Sequence, residues 1–214
     1  MGRENKKEAV AALHRERIMT AAERLFSEKG YEQTTIEDIS AASGYSRRTV
    51  YAYYESKDDI LHHIVEKGLT ELKNDIEAAL SMDGDFVGVC RDVFAAMSRY
   101  QSEYAYSSGR MNAANAAELC TGSGSETVRR ILSLGSDINA MLAAFIECGR
   151  ERGAVRRDII PELSVYILWS GVTSFLTLIR TKGRFMEERF SLSGEELMDY
   201  GFRQIMNSVL SESI

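Results

Sequence analysis

Proline and tryptophan occur once each in these 214 residues, and cysteine and histidine three times each. Cys90, Cys120 and Cys148 are odd in number, far apart and free of CxxC spacing, so neither a zinc site nor a disulfide framework follows. A free cysteine is more often a small buried hydrophobe than a redox sensor. His62 and His63 are adjacent and point in different directions on a helix, so they cannot share a metal as an HExxH pair does; His14 is isolated. No GxSxG, P-loop or GxGxxG is present, and the acidic residues show no acid/base spacing. An enzyme would have no nucleophile or base to name, and neither a cofactor nor a metal is expected. No run approaches the roughly 20 apolar residues of a membrane span. The N-terminus MGRENKKEAV has no apolar signal core, and Lys6 stands where a myristoylation motif needs Ser or Thr, so the expected location is the cytoplasm. Positive charge is also in deficit, at a net −6, which argues against a non-specific nucleic-acid coat protein.

What the chain does have is dense helix punctuation between Thr34 and Ile60. Thr35 stands three residues before Asp38, the capping-box spacing, and predicts a helix with Ile36, Ile39 and Ala42 as its apolar face. Gly44 supplies the permissive backbone of a tight turn. Ser46 caps a second helix running to Tyr54, with Val50 and Tyr54 on the inner face and Arg47, Arg48, Thr49, Tyr51 and Tyr53 on the other. Ser56 and Asp59 repeat the capping-box spacing and open a third helix. Upstream, Ile18, Ala21, Ala22, Leu25 and Phe26 form an amphipathic stripe that Gly30 terminates. This is the pattern of a helix-turn-helix. A basic, tyrosine-bearing second helix suits the major groove, although a merely solvated face has the same composition. Residues 1–67 carry 11 Lys or Arg against 12 Asp or Glu, so DNA affinity has to come from a few placed groups and should be salt-dependent.

The run RIMTAAERLFSEKGYEQTTIEDISAASGYSRRTVYAYYESKDDIL, residues 17–61, resembles the DNA-binding domain of the TetR family of bacterial transcriptional regulators over that domain's whole length. Three positions depart from the common pattern: Ser40 and Ser43 replace the usual alanines, and Tyr45 replaces a small branched apolar residue. Tyr45 is then either a partly buried ring or an extra phosphate contact. By position, the resemblance implies DNA contacts at Thr35, Ser46, Arg47, Arg48, Thr49, Tyr51, Tyr53 and Lys57. Thr35, Tyr51 and Lys57 would hold phosphates, while Arg47, Arg48, Thr49 and Tyr53 would lie nearer the base edges. Val50 and Tyr54 are expected in the core.

Helical periodicity continues beyond this domain. Ile60, Ile64, Leu72, Ile76 and Leu80 predict one long helix, which residues 82–85 break. A helix carrying Phe86, Val89, Cys90, Val93, Phe94 and Met97 runs toward Tyr104; residues 110–120 also look helical, and residues 121–126 form a loop. Ile131, Leu134, Ile138, Met141, Leu142 and Phe145 mark a strong helix ending near Gly149 or Gly153. Pro161 fits the first turn of a helix that is apolar on two faces, and Ser193 with Glu196 caps the last one. With no strand-period run and no internal repeat, the expected fold is all-α. The expected organisation is a mobile arm at 1–12, a three-helix DNA-binding domain at 13–61, and a helical effector-binding and dimerisation domain at 62–214. The arm could be a frayed terminus or, through Arg3, Lys6 and Lys7, a minor-groove contact.

The TetR resemblance implies a homodimer built on the last two helices, here Trp169, Val172, Phe175, Leu176, Leu197, Tyr200 and Ile205; the alternative is that they pack within one subunit. It also implies an effector pocket, for which Phe94, Met97, Met111, Met141, Phe145 and Trp169 are the candidates, although Met and aromatic stripes are more often core. The expected function is a ligand-responsive repressor, released from a palindromic double-stranded DNA operator by a small, mainly apolar effector. In that scheme the long helix starting at Ser56 moves the DNA-binding domains out of register. An activator of the same family and a helical protein-interaction module without DNA binding are the alternatives.

Overall fold

The computed structural model describes residues 4–105 and 125–212, with side chains from Lys6 onward. Among them are eight helices: α1 Glu4–Lys29, α2 Ile36–Ser43, α3 Arg47–Tyr51, α4 Lys57–Ser81, α5 Phe86–Glu103, α6 Glu126–Glu151, α7 Pro161–Phe190 and α8 Gly194–Met206. The only extended pairing among the described residues is a single bridge between Val155 and Leu210. The chain divides into two units, one of residues 1–69 with 103–132 and one of residues 70–102 with 133–214.

In the first unit, α1 buries Ile18, Ala21, Ala22 and Phe26 against Ile39 of α2, Val50 and Tyr54, and Ile60 and Ile64 of α4. Gly30 ends α1 at φ 86°, its amide bonding back to the Phe26 carbonyl, as a left-handed glycine cap requires. Two expectations change here. The arm foreseen at 1–12 is, from Glu4 on, the opening turns of α1, because Glu4 to Lys29 contains no breaker. On α2, Ala42 faces solvent; the inner face is Ile36, Ile39, Ser40 and Ser43, the i, i+3, i+4, i+7 set. Ser40 is therefore buried, and its carbonyl accepts from the Ser43 hydroxyl and the Tyr45 amide at the turn.

In the second unit, Leu72 and Ile76 of α4, the inner face of α5, Ile138, Ala143 and Ile146 of α6, Val165, Val172 and Leu176 of α7, and Leu197 and Phe202 of α8 form the core. Burying about five large side chains from α5 alone contributes on the order of 1.5–3 kcal/mol each before chain entropy is counted. Pro161 opens α7 at its first turn, where its missing amide costs nothing. Ser193 and Glu196 form a complete capping box on α8. Gly201 of α8 lets the Phe175 ring approach so closely that a Cβ there would lie 2.1 Å from Cζ. The linker after α6 is tied to the C-terminal turn by Arg156 N–H to the Val209 carbonyl and Ser211 N–H to the Ala154 carbonyl, both 3.0 Å.

Both α6 and α7 contain an 18-residue window of mean hydropathy 1.4, and by length and composition each could cross a membrane. Apolar runs too interrupted to notice along the sequence thus average to a high value. In α7 the interruptions are Ser164, Ser170, Thr173, Ser174 and Thr177, none of them charged.

Candidate nucleic-acid interface and apolar cavity

Helix α2 starts because Thr35 in extended backbone accepts the Asp38 amide at 3.2 Å, while Asp38 accepts the Thr35 amide at 2.8 Å and its hydroxyl at 2.7 Å. The Lys29 ammonium lies 2.6 Å from the same carboxylate and, with the Thr35 bonds, holds Asp38 well below the ordinary carboxylate range. The Thr35 hydroxyl thus spends its proton inside the cap. What this helix start can offer an anion is the amides of Ile36 and Glu37, which have no intrahelical acceptor.

Gly44 at φ 76° turns the chain, and Ser46 opens α3 by accepting the Thr49 amide at 3.1 Å, with its hydroxyl also 2.9 Å from that of Thr49. Regular helix lasts only from Arg47 to Tyr51, shorter than the span to Tyr54 read from periodicity. The turn nonetheless carries on, since the Tyr53 and Tyr54 amides both reach the Val50 carbonyl at 3.0 Å. Val50 and Tyr54 are buried as expected, and burial pushes the Tyr54 phenol above its usual value.

The eight residues proposed to meet DNA separate into different settings. Arg48 and Tyr51, three apart on one face of α3, are both exposed, and Arg48 has no ion pair among the described residues. Arg47 is exposed as well, but its guanidinium pairs with Glu37 of α2 at 2.6 Å. Such a surface pair is worth about 0–1 kcal/mol and yields readily to a phosphate or base edge. Thr35, Ser46 and Thr49 are engaged in caps. Tyr53 is turned away from this face: it is half-buried, its hydroxyl lies 2.9 Å from Nδ1 of His14, and Arg15 stands over its ring.

Lys57 also differs from expectation. Its ammonium donates to the carbonyls of Tyr31 at 2.8 Å and Thr34 at 2.9 Å and sits 4.0 Å from the centre of the Tyr31 ring. Tyr31 in turn donates to Asp58. Two of the three N–H groups therefore brace the loop between α1 and α2, and one remains for a phosphate. Sequence reading missed this brace and the part played by His14, because both depend on partners 26 and 39 residues away.

The second unit holds an apolar cavity of about 70 Å³. Phe94, Met97, Phe145 and Trp169 line it, joined by Phe86 stacked on Phe145 at 4.5 Å and by Cys90. Met141 is not among its lining residues, and Met111 lies outside the described residues. Burial, with the charge of Asp85, pushes the Cys90 thiol up to about 12, so it contributes packing and no thiolate. Cys148 is free and half-buried. No group of three potential metal ligands occurs among the described residues.

The proposed dimer residues also divide. Val172, Leu176 and Leu197 are buried inside their own unit, Phe175 packs on Gly201, and Trp169 and Ile205 line the cavity. Only Tyr200, 54% exposed, faces outward. The unpartnered stripe on α7 is the opposite one, carrying Leu163, Tyr166, Ile167, Leu178 and Phe185, all exposed.

The family model described as bacterial regulatory proteins, tetR family, matches residues 18–64. The HTH-type transcriptional repressor BepR of Brucella suis is 24% identical over 212 residues, covering 95% of this chain and 93% of BepR. The crystal structure of the TetR-family transcriptional regulator PfmR from Thermus thermophilus superposes with a TM-score of 0.69 at 25% identity, covering 89% of this chain and 97% of PfmR. A SmeT–triclosan complex matches with a TM-score of 0.65 at 21% identity, covering 94% of this chain and 93% of SmeT.

Proposed function

We propose that the chain is a DNA-binding transcription regulator of the TetR family, a homodimeric cytoplasmic repressor released from its operator by an uncharged, apolar effector. The observation carrying this reading is the capped α2–turn–α3 unit with Arg48 and Tyr51 exposed on one face, in a domain of this family. Arg48, with Arg47 once released from Glu37, would read base edges, and Tyr51, the start of α2 and the remaining Lys57 N–H would hold phosphates. Repression is supported by the similarity to BepR, which is named a repressor.

Two α3 helices reading successive major grooves need a two-fold partner, with half-sites roughly 34–36 Å apart. The exposed apolar side chains on this face of α7, Leu163, Tyr166 and Ile167 in its first turns and Leu178 and Phe185 further along, support a dimer through α7, joined by Tyr200 of α8, because a monomer rarely leaves a cluster of large apolar side chains on one helix wet. That assignment also accounts for the hydropathy of α7.

Residues 62–214 would carry the effector response. SmeT in its complex binds triclosan, and the cavity here has the lining for a molecule of similar apolar character. At about 70 Å³ it is less than half the roughly 150 Å³ of an apolar cavity that takes benzene. An effector therefore has to stabilise a wider state, and a ligand favouring that state shifts the population toward it. A coupling of about 1–3 kcal/mol lowers operator affinity by roughly 5- to 150-fold. The test is a gel shift on the DNA upstream of the chain's own gene, with and without apolar compounds, for wild type and Arg48→Ala. A band formed by the wild type, weakened by Arg48→Ala and lost with one compound supports the reading. Equal binding by both proteins refutes it.

A further inference from the structure

We propose that His14 is a positioning residue for the DNA-reading helix, clasping both ends of α3 to α1, an inference that rests on the DNA-binding role above. Its imidazole lies 4.6 Å, centroid to centroid, from the ring of Tyr45, the residue just before the Ser46 cap. It lies 5.6 Å edge-on from the ring of Tyr53, two residues past the end of α3, and its Nδ1 is 2.9 Å from the Tyr53 hydroxyl. One side chain of α1 thus touches the chain immediately before and immediately after the recognition helix.

The geometry matters because α3 is so short. Five residues of regular helix have few internal hydrogen bonds to fix their direction, and the outward groups Arg48 and Tyr51 are placed only as well as the helix is. Inside, Val50 and Tyr54 anchor it. His14 restrains it from a second side, and Arg15, 5.5 Å over the Tyr53 ring, closes the far edge of the same cluster. Tyr45 stands where TetR-like sequences usually have a small branched residue, which has no ring to lay against an imidazole. In this chain Tyr45 supplies the ring on which the His14 imidazole rests. Because His14 acts through two tyrosines, it sets orientation and hence discrimination between sequences, without adding a phosphate contact.

Two measurements on the full chain decide the matter. In the free protein, His14→Ala should speed hydrogen exchange of the Val50, Tyr53 and Tyr54 amides about tenfold, while the Ile39 amide of α2 stays within about twofold. On DNA, His14→Ala should lower affinity for the upstream-region duplex about tenfold, leave affinity for an unrelated duplex within about twofold, and keep the salt slope unchanged. Tyr53→Phe, which keeps the ring and removes only the hydroxyl, should lose about threefold, and His14→Ala should cost less in a Tyr45→Val background than alone. Should His14→Ala fold poorly, His14→Gln and Tyr53→Phe carry the same comparisons. Unchanged exchange at α3, strictly additive losses, or equal losses on both duplexes would overturn the clasp, as would a salt slope reduced by about one, which would mean a direct phosphate contact. A wild type that cannot tell the two duplexes apart refutes the DNA-binding reading instead, and the exchange measurement still decides the clasp.

Discussion

Replacing Lys57 by methionine separates two roles that sequence and structure assign to one side chain. As a phosphate clamp, Lys57 would matter only when DNA is present. In the structure its ammonium donates to the Tyr31 and Thr34 carbonyls at 2.8 and 2.9 Å and sits 4.0 Å from the Tyr31 ring centre. A hydrogen bond to a charged group is worth about 1.5–3 kcal/mol, and a partly hydrated cation over a ring at least about 0.5–1 kcal/mol. Lys57 is half-buried, so water can replace part of each bond, and methionine keeps most of the packing of the alkyl stem. The net loss should be about 2–3 kcal/mol. For a chain of this size that lowers the melting temperature by roughly 5–10 °C. Circular dichroism of wild type and Lys57→Met at one fixed protein concentration measures it, the concentration being held because a dimer's stability depends on it. A melting temperature within about 2 °C of wild type, with a DNA salt slope reduced by about one, would refute the brace and restore the simple phosphate contact.

Gly201→Ala should destabilise by about 1–3 kcal/mol, since the new Cβ would lie 2.1 Å from Phe175 Cζ, and Phe175→Leu in the same chain should recover most of the loss in a urea titration. Ile167→Asp in the exposed stripe of α7 should yield monomers by sedimentation with an unchanged helical spectrum; persisting dimers would move the interface elsewhere. Trp169 is the only tryptophan and lines the cavity, so an apolar effector should change intrinsic fluorescence saturably, and a compound that releases DNA without touching this signal would place the effector site elsewhere. The carboxylates of Asp38, Asp199 and Glu196 are all held below their ordinary values, by Lys29, by Arg91 and by the Ser193 backbone amide respectively. A depressed carboxylate contributes stability above its unfolded pKa of about 4 and loses it as pH falls toward the folded value. The melting temperature should therefore hold from pH 7 to about 5 and drop below about 4, less steeply in Asp38→Asn.

Local signals were legible in the sequence wherever the physics is local. Thr35, Ser46, Ser56 and Ser193 all cap the helices they were expected to cap, and Gly30 and Gly44 take the left-handed conformations that end α1 and α2. A cap joins residues three apart, so a few neighbouring letters determine it. Misreadings arise where two registers share the same letters. On α2, Ala42 and Ser43 are both small, and hydrophobicity favoured the alanine; packing took Ser40 and Ser43 inward because Ile36 and Ile39 had already set the face. The two apolar faces of α7 pose the same ambiguity: composition shows that both exist without showing which one α8 and α5 consume. With Val172 and Leu176 in the core, Leu163, Tyr166, Ile167, Leu178 and Phe185 are the apolar side chains of α7 left exposed.

The candidate site divides along the same line. Arg48 and Tyr51 could be read from a helical wheel, because being exposed on α3 requires nothing from the rest of the chain. Lys57, Tyr53 and Thr35 could not, because each is a polar side chain with a competing intramolecular partner whose position only the fold reveals: two carbonyls, a histidine and a capping carboxylate. An engaged group has to exchange or share its internal bond to meet a phosphate, so its gain on binding is the difference between two good hydrogen bonds, where Arg48 exchanges only water for DNA. Binding energy should therefore concentrate on Arg48, and on Arg47 once Glu37 is displaced. The engaged residues would act mainly through the stiffness they lend to α2 and α3. In a chain of net charge −6, with no net positive charge to draw DNA in, that stiffness would be what lets so few arginines suffice.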